Sequence, residues 1–375
     1  MGFIWISEQT AQQGKALRET HPELTERLRA QADAWLEHPD LSVTQFPSRA
    51  ASGDPHDFYS EGPYWWPDPD KADGLPYIRR DGYRNPNNYY EHPRALSELA
   101  DGVHLLSLAG YLLENPAYFE KAAHLLRVWF IDEKTRMNPH LNYGQAIPGI
   151  CTGRGIGIIT LSSLDRILHG LGYLEQWPQA EETLAGVRAW LEQMLDWLLH
   201  SPYGVDESIH GNNHETWWSV HAAGIAAYLG KKEELEHLFE RYLGRILPNQ
   251  MQPDGSMPRE LERTRSLHYS TYNLNAMAMF CELAWQHGVD LWHAVLPDGR
   301  CIEKGIDFVL PYLVDDGKWP YEEIDTDPLN RQLFLQLAAL RLDRSDYLLV
   351  NGQLAPGGKS VLGPLEYLTN APELA

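Results

Sequence analysis

Apolar residues recur along most of the chain at intervals of three and four. Leu96, Leu99, Val103 and Leu106 form one such stripe, with the spacing of a single face of an α-helix. Similar stripes predict helices over residues 8–37, 94–114, 116–131, 153–173, 179–200, 213–229, 232–247, 270–287, 302–314 and 329–342. Gly and Pro stand at many joints between these segments, as helix ends require.

The order of these segments indicates the fold class. The sequence shows no alternation of strands with helices and no glycine-rich phosphate loop. Helices of similar length joined by short loops are typical of a ring of helical hairpins. We therefore predict an all-α fold, an (α/α)n toroid that forms an incomplete barrel of helical hairpins, with residues 1–375 as one domain. Strands in the tail, around Tyr347 to Leu368, remain open.

Residues 46–93 break the helical pattern. This stretch is rich in Pro, Gly, Asp and aromatic residues and contains Trp65-Trp66-Pro67-Asp68-Pro69. A loop of this length in a compact domain is usually functional. We expect it to line the active-site cleft.

Composition excludes several classes of partner. The 31 Lys and Arg against 52 Asp and Glu give a net charge of −21, which argues against nucleic-acid binding and against an anionic membrane surface. The start of the sequence lacks a signal-peptide pattern, and no apolar run is long enough to span a membrane. We expect a soluble protein, either cytoplasmic or secreted with its signal removed.

Cysteine and histidine usage indicates no metal or cofactor. The 3 cysteines are scattered, which suits neither a disulfide framework nor a tetrahedral zinc site. The 16 histidines include no HExxH pattern, so we predict no catalytic metal. The 13 Trp and 19 Tyr suit the binding of sugar faces or the filling of a helical core.

The segment Asn212-Asn213-His214-Glu215 combines an amide and an imidazole at a helix start. Asn212 followed three residues later by Glu215 predicts a capping box. His214 then lies in the first turn, where the partial positive charge disfavours imidazolium and attracts an anion. The alternative is structural, with Asn213 as a cap residue and His214 as a buried, hydrogen-bonded histidine.

A second segment begins at Arg265. Arg265, His268 and Tyr272 are spaced by three and four, so on a helix they share one face, and Tyr269 stands one turn before Tyr272. A guanidinium beside a phenol stabilises the phenolate, as a general base near neutral pH requires. The alternative is an exposed basic helix start with tyrosines packed inward.

The order of these two motifs resembles the alginate lyase superfamily, polysaccharide lyases with an α/α toroid fold. There an Asn-Asn-His element precedes an Arg-x-x-x-x-x-x-Tyr element, matched here by Asn212-Asn213-His214 and by Arg265 to Tyr272. The resemblance spans residues 60–290, with support from Asn138 to Gln145 and Pro253 to Ser256. The Trp-rich loop looks most like polysaccharide lyase family 38.

This resemblance implies β-elimination on a 1,4-linked polyuronate, such as mannuronate-type alginate or glucuronan. Asn213 would neutralise the substrate carboxylate, and His214 would assist or act as the base for one epimer. Tyr272 would remove the C5 proton and protonate the leaving oxygen, with Arg265 holding its phenolate form. The partner would be an anionic polysaccharide; the oligomeric state is left open.

The sequence also offers further candidates for substrate contacts and allows two other functions. Candidate substrate-binding residues are Gln145, Arg154, Trp65, Trp66, His268 and Tyr269, and Tyr269 is a second candidate for the catalytic phenol. One rival function is a glycoside hydrolase on the same scaffold, with Asp206, Glu207 or Glu215 as acids. The other is a non-catalytic module that binds acidic glycans through the Trp-rich loop.

Overall fold

Helices dominate the computed structural model, which describes residues 2–325 and 327–356 of the chain. The α-helices are α1 Glu8–Thr20, α2 Pro22–Leu36, α3 Glu91–Leu113, α4 Pro116–Phe130, α5 Ser162–Leu174, α6 Glu181–His200, α7 Pro202–Glu207, α8 Asn213–Leu229, α9 Lys232–Arg241, α10 Leu247–Gln250, α11 Pro258–Leu261, α12 Ser266–Gln286, α13 Ile302–Val309, α14 Leu333–Arg341 and α15 Ser345–Gln353. Four short strands accompany them: β1 Tyr59–Glu61, β2 Trp65–Trp66, β3 Ile78–Arg79 and β4 Tyr143–Ala146.

Several predicted helices differ from the observed ones at proline and glycine positions. The segment 8–37 forms two helices because Pro22 begins α2, and proline is disfavoured inside a helix. Residues 153–173 begin as the 3₁₀ segment Gly155–Leu161, and α5 follows. The predicted helix 232–247 ends its α-helical part at Arg241 and continues as the π-helical turn Tyr242–Ile246.

The tail also differs from the expectation in part. Residues 345–353 form the helix α15, so no strand begins at Tyr347. Residues 357–368, the rest of the stretch in which the sequence leaves strands open, lie outside the described residues.

The described chain groups into two compact units. The first contains residues 2–206 and 224–230, and the second contains residues 207–223 and 231–356. That residues 1–375 work as one lyase domain, with the loop 46–93 lining its cleft, stays a prediction.

The first unit has its core between α3 and its neighbours. α3 packs against α2, α4 and α5, and α4 packs against α6. The predicted stripe on α3 is buried, since Leu99, Val103 and Leu106 are each 0% exposed. Within the loop 46–93, β2 and β3 form an antiparallel pair. β1 of the same loop pairs in parallel with β4, which lies outside it.

The second unit is built around α12. This helix packs against α11, α13 and α14, and α14 packs against α15. The middle of α12 is buried on every side, with Leu274, Met277, Phe280 and Cys281 at 0% exposure. The start of the helix is different, because Arg265, His268 and Tyr272 are half-buried while Leu267 and Tyr269 are buried. The predicted face therefore exists and is the open side of the helix.

A buried histidine pair makes the first unit sensitive to acid. His104 on α3 and His169 on α5 are buried, with ring centroids 5.1 Å apart. Burial lowers the pKa of both, and that of His169 falls from 6.5 to about 4. The unfolded chain therefore binds more protons between these values, so the stability from neutral His169 is present above pH 6.5 and lost toward pH 4.

We expect His169→Leu to reduce the loss of folding stability between pH 6.5 and pH 4. The shift corresponds to on the order of 3 kcal/mol of unfolding free energy. Urea unfolding midpoints at several pH values between 7 and 4 measure it, with His237→Leu, at an exposed histidine, as the control. Equal pH dependence in wild type and His169→Leu would contradict the argument.

Candidate active site

The start of α8 is held by hydrogen bonds from side chains. Asn212 Oδ1 accepts from the backbone N–H of His214 at 3.1 Å, which is the N-cap bond that the sequence predicted. Glu215 Oε2 accepts from the N–H of Gly211 at 2.9 Å. A capping box would use the N–H of Asn212, so the predicted box is displaced by one residue.

Glu215 is a structural anion. It is fully buried and forms ion pairs with Arg245 at 2.6 Å and Arg241 at 3.4 Å. The same two guanidiniums also donate to the carbonyls of Ser208 and Ile209. Glu215 thus fixes the segment before α8, and its burial counts against its service as the acid of a glycoside hydrolase.

His214 is oriented by a buried carboxylate. Its Nδ1 lies 2.7 Å from Oε1 of Glu207, and the two side chains are 14% and 0% exposed. A carboxylate accepts only, so Nδ1 carries the hydrogen and Nε2 is left as an acceptor. Sequence reasoning named Glu207 only as a hydrolase acid and missed this pairing, because a seven-residue separation across a loop predicts no contact.

Asn213 is bound twice by a second buried carboxyl group. Its backbone N–H donates to Glu260 Oε1 at 2.6 Å, and its side-chain Nδ2 donates to Oε2 at 2.8 Å. Asn213 and Glu260 are each 1% exposed, so a substrate group reaches this amide only when the residues that cover it move. Nothing in the spacing of the sequence pointed to Glu260.

Burial dominates the electrostatics of Glu260. It raises the pKa of this carboxyl, against the hydrogen bonds from Asn213 and the charges of His214 and Arg263, which lower it. A carboxyl in such a place favours its neutral form more than an exposed one does.

The side chain of Tyr272, on α12, packs against α8. Its ring centroid is 5.0 Å from that of Trp217 on α8, and the ring stacks on His268 at 6.2 Å with an interplanar angle of 6°. These contacts join the two segments that sequence analysis singled out. The tertiary structure thus places the phenol of α12 beside the helix that begins with Asn213 and His214.

The two candidate phenols differ in their surroundings. Tyr269 is 8% exposed, and the guanidinium of Arg263 lies 3.8 Å from its ring centroid. Tyr272 is half-buried, on the open face of α12. The geometry therefore favours Tyr272 as the phenol that meets a substrate.

Arg265 is paired with a carboxylate that the sequence did not predict. Its guanidinium donates to Asp325, and the two side chains are 15% and 26% exposed. Burial works to raise the pKa of Asp325, but the hydrogen bond and the charge of Arg265 outweigh it and lower that pKa. Any effect of Arg265 on a phenolate is thus shared with Asp325, sixty residues along the chain.

Glu323, near this pair, caps α12. Its Oε2 accepts from the backbone N–H groups of Leu267 and His268 at 3.0 and 3.1 Å. The first turn of a helix has no internal partners for these groups. The segment around residue 323 therefore fixes the start of the helix that bears Tyr272.

In the first unit, three of the predicted substrate-binding residues form one cluster. Arg154 donates to the side-chain oxygen of Gln145 at 2.9 Å and to its carbonyl at 3.0 Å. The same guanidinium lies 5.8 Å from the ring centroid of Trp65. Gln145 has a φ of 49°, which is uncommon for a residue with a side chain and persists only where its surroundings hold it.

Trp66 belongs to a different environment. Its Nε1 donates to the carbonyl of Tyr83 at 2.9 Å, and Arg80 lies 4.9 Å from its ring centroid. Neighbouring residues of a strand point to opposite faces. Trp65 and Trp66 therefore do not form one aromatic platform.

Two features of the described residues concern metal ions and membranes. Among residues 2–325 and 327–356, no three His, Cys, Asp or Glu side chains are arranged to hold a metal ion. In the same part of the chain, no helix combines the length and apolar character that crossing a membrane requires.

Comparison with known proteins gives matches at the level of family and of structure. The family model described as alginate lyase matches residues 42–319. The crystal structure of an alginate lyase from Bacteroides ovatus is 32% identical, with a TM-score of 0.90 over 99% of this chain and 100% of that one. No curated protein matches the chain.

More distant structures share the fold. Alginate lyase A1-III from Sphingomonas species A1 is 19% identical, with a TM-score of 0.57 over 86% of this chain and 88% of that one. A histidine-to-alanine variant of A1-III complexed with tetrasaccharide is 18% identical, with a TM-score of 0.58 over 89% of this chain and 95% of that one. With the helical content of the described chain, these matches confirm the predicted fold class, an all-α toroid.

Proposed function

The chain belongs to the alginate lyase family, as its two motifs predicted, and from this premise we propose that it cleaves a 1,4-linked polyuronate by β-elimination. The observation that supports this chemistry most directly is the contact between Trp217 and Tyr272 at 5.0 Å. It brings the phenol of α12 to the helix whose first turn holds an amide and an oriented imidazole. In this proposal, carboxylate neutralisation comes from the first turn of α8 and proton transfer from the phenol of α12.

The reaction begins with the acidity of C5. In a uronate this carbon bears the carboxylate, and donors on that carboxylate stabilise the negative charge that develops when the proton leaves. We assign this neutralisation to Asn213 with assistance from His214. Tyr272, as phenolate, takes the C5 proton.

The elimination is completed on the same side of the sugar. The electron pair from the C5–H bond forms the C4–C5 double bond, and the bond from C4 to the bridging oxygen breaks. Tyr272 returns its proton to that oxygen and regains the phenolate form. No water is consumed, and the products are a new hydroxyl end and an unsaturated uronate end.

The role of His214 follows from Glu207. With Nδ1 donating to the carboxylate at 2.7 Å, the ring presents Nε2 as its free nitrogen. A ring held in one orientation and one tautomer contributes more than a mobile one. In this proposal His214 accepts a proton at Nε2, and only the resulting imidazolium donates a hydrogen bond from Nε2 to the substrate carboxylate.

A mechanism that uses one phenol for both proton transfers restricts which uronates can be substrates. One group that serves as base and acid acts on one face, which suits D-mannuronate and D-glucuronate, since these differ only at C2. L-guluronate presents its C5 proton on the other face. We propose mannuronate-type alginate or glucuronan as the substrate.

The cluster of Trp65, Gln145 and Arg154 offers chemistry for binding acidic sugars. A guanidinium binds carboxylates through charge-assisted hydrogen bonds, and an indole face packs on sugar rings. These residues stay candidates for substrate contacts in the first unit, and Trp66 stays a separate candidate. Assignment of the chain to polysaccharide lyase family 38 likewise remains a proposal.

Ultraviolet absorbance during digestion tests the reaction type. We expect polymannuronate or glucuronan to give a rising absorbance from the conjugated unsaturated ends, and polyguluronate to give much less. A rise in reducing ends without absorbance would indicate hydrolysis and would reject the lyase mechanism. Binding to these polymers without either signal would support the non-catalytic alternative.

A further inference from the structure

Glu260 accepts hydrogen bonds from both nitrogens of Asn213. The backbone N–H of Asn213 lies 2.6 Å from Oε1, and the side-chain Nδ2 lies 2.8 Å from Oε2. Asn213 is the first residue of α8, where backbone N–H groups have no partner within the helix. Glu260, on α11, therefore acts as a cap from another part of the chain.

This arrangement leaves one atom of the amide unmatched. Asn213 Oδ1 is buried and has no hydrogen-bond partner among the described residues. A carbonyl oxygen only accepts hydrogen bonds. With Nδ2 bound to Glu260, Oδ1 is the end of the amide that faces away from Glu260. In this orientation the amide cannot donate a hydrogen bond to a substrate carboxylate.

The proton of Glu260 determines which end of the amide faces away. An ionised carboxylate accepts at both oxygens and must be met by the NH2 group, as observed. A protonated carboxyl donates from one oxygen and accepts at the other. It can then donate to Oδ1 and still accept from the backbone N–H of Asn213.

A half-turn of the amide about its last carbon–carbon bond achieves this exchange. The two ends of an Asn side chain have nearly the same shape, so the turn needs little space. It satisfies Oδ1 and places the NH2 group, with its two donors, on the side away from Glu260.

We propose that Glu260 is a positioning residue of the lyase reaction: in its protonated form it holds the Asn213 amide with the NH2 group turned toward the substrate carboxylate. This inference rests on the proposed function, because it concerns how Asn213 performs its assigned role. It adds to that role a buried acid which touches no substrate atom itself.

The surroundings of Glu260 act on its pKa in both directions. Burial is the largest influence on this carboxyl and raises its pKa. The groups that act in the opposite sense are Asn213 and His214 on α8 and Arg263, just after α11. Burial outweighs the effects of these three residues. The positive end of α8 is a further influence, and it favours the negative charge.

Three variants separate the possible roles. Glu260→Gln keeps the shape and, like the protonated acid, donates from one atom and accepts at the other. Glu260→Ala removes both bonds, and we expect kcat to fall by about 100-fold, the cost of a reacting group misplaced by about 1 Å. Glu262→Gln, at an exposed position two residues along, is the matched control and should behave as wild type.

The expected result is that Glu260→Gln restores most of the kcat that Glu260→Ala loses, with little change in KM. It should also remove any alkaline fall in kcat that comes from loss of the Glu260 proton. If Glu260→Gln is as impaired as Glu260→Ala, the ionised carboxylate is required and the proposal is wrong.

Unfolding measurements test the same proton without any assay of activity. A folded-state pKa above the value of 4.5 for the ordinary group means that Glu260 adds stability below that value and that this stability is lost as pH rises through the folded pKa. Urea midpoints taken over a range of pH from 4.5 upward should therefore show wild type losing stability relative to Glu260→Gln as pH rises.

The two readouts can fail separately. A constant difference in urea midpoint between wild type and Glu260→Gln across this range would overturn the protonation of Glu260 in the folded protein. If wild type shows no lyase activity on any polyuronate, the proposed function fails, and the unfolding comparison still decides the state of Glu260.

Discussion

Replacing Tyr272 with phenylalanine should lower kcat on a polyuronate by roughly 10³- to 10⁴-fold, toward the upper end of what one acid-base group contributes. The loss is large because one phenol is assigned both proton transfers. The phenyl ring keeps its contacts with Trp217 and His268, so the fold and KM should change little. Initial rates from ultraviolet absorbance and a thermal unfolding midpoint measure the two effects.

Tyr269→Phe is the matched comparison. Tyr269 is buried against Arg263, so we expect its loss of hydroxyl to reduce kcat far less. A larger loss in Tyr269→Phe than in Tyr272→Phe would move the catalytic assignment to Tyr269. Equal, small losses in both would remove the phenol from the mechanism.

The second large effect concerns the pair of His214 and Glu207. We expect His214→Ala to lower kcat by about 10²- to 10³-fold, within the range for an assisting acid-base group. Glu207→Ala should lose a substantial part of the same factor, because the imidazole is then free to rotate and to change tautomer.

The double variant tests whether the two residues act together. If Glu207 works only through His214, the variant with both changes should be no slower than His214→Ala alone, since residues that act as a unit are not additive. Losses that multiply would show an independent role for Glu207. Thermal unfolding of each variant is the control, because Glu207 is fully buried.

The structure also argues against the rival hydrolase mechanism. Such an enzyme needs two carboxylates that flank the scissile bond. Glu215 is enclosed by Arg241 and Arg245, and Glu207 is bound to His214. Two of the three acids that the sequence offered for hydrolysis, Glu207 and Glu215, are thus committed to holding other side chains in place.

Local patterns in the sequence were sufficient for the helices and for one face of the site. The period of three and four predicted α3 and α8 because it depends only on helix geometry. The same geometry predicted that Arg265, His268 and Tyr272 lie on one side of the start of α12, and all three are half-buried. Errors fell where proline or a π-helical turn interrupts the regular repeat, as at Pro22 and at Tyr242–Ile246.

Helical periodicity is a local property, and it was enough to predict the all-α class. The resemblance of two motifs to a known family supplied the family and the candidate site residues. Only the tertiary structure decided the partners: Glu260 for Asn213, Glu207 for His214 and Asp325 for Arg265. The position of a carboxylate in the sequence does not indicate which residue it will bind. Each carboxylate meets its partner only when separate segments of the chain pack together. The charge and hydrogen-bond state of each candidate residue therefore depends on contacts that only the folded chain creates.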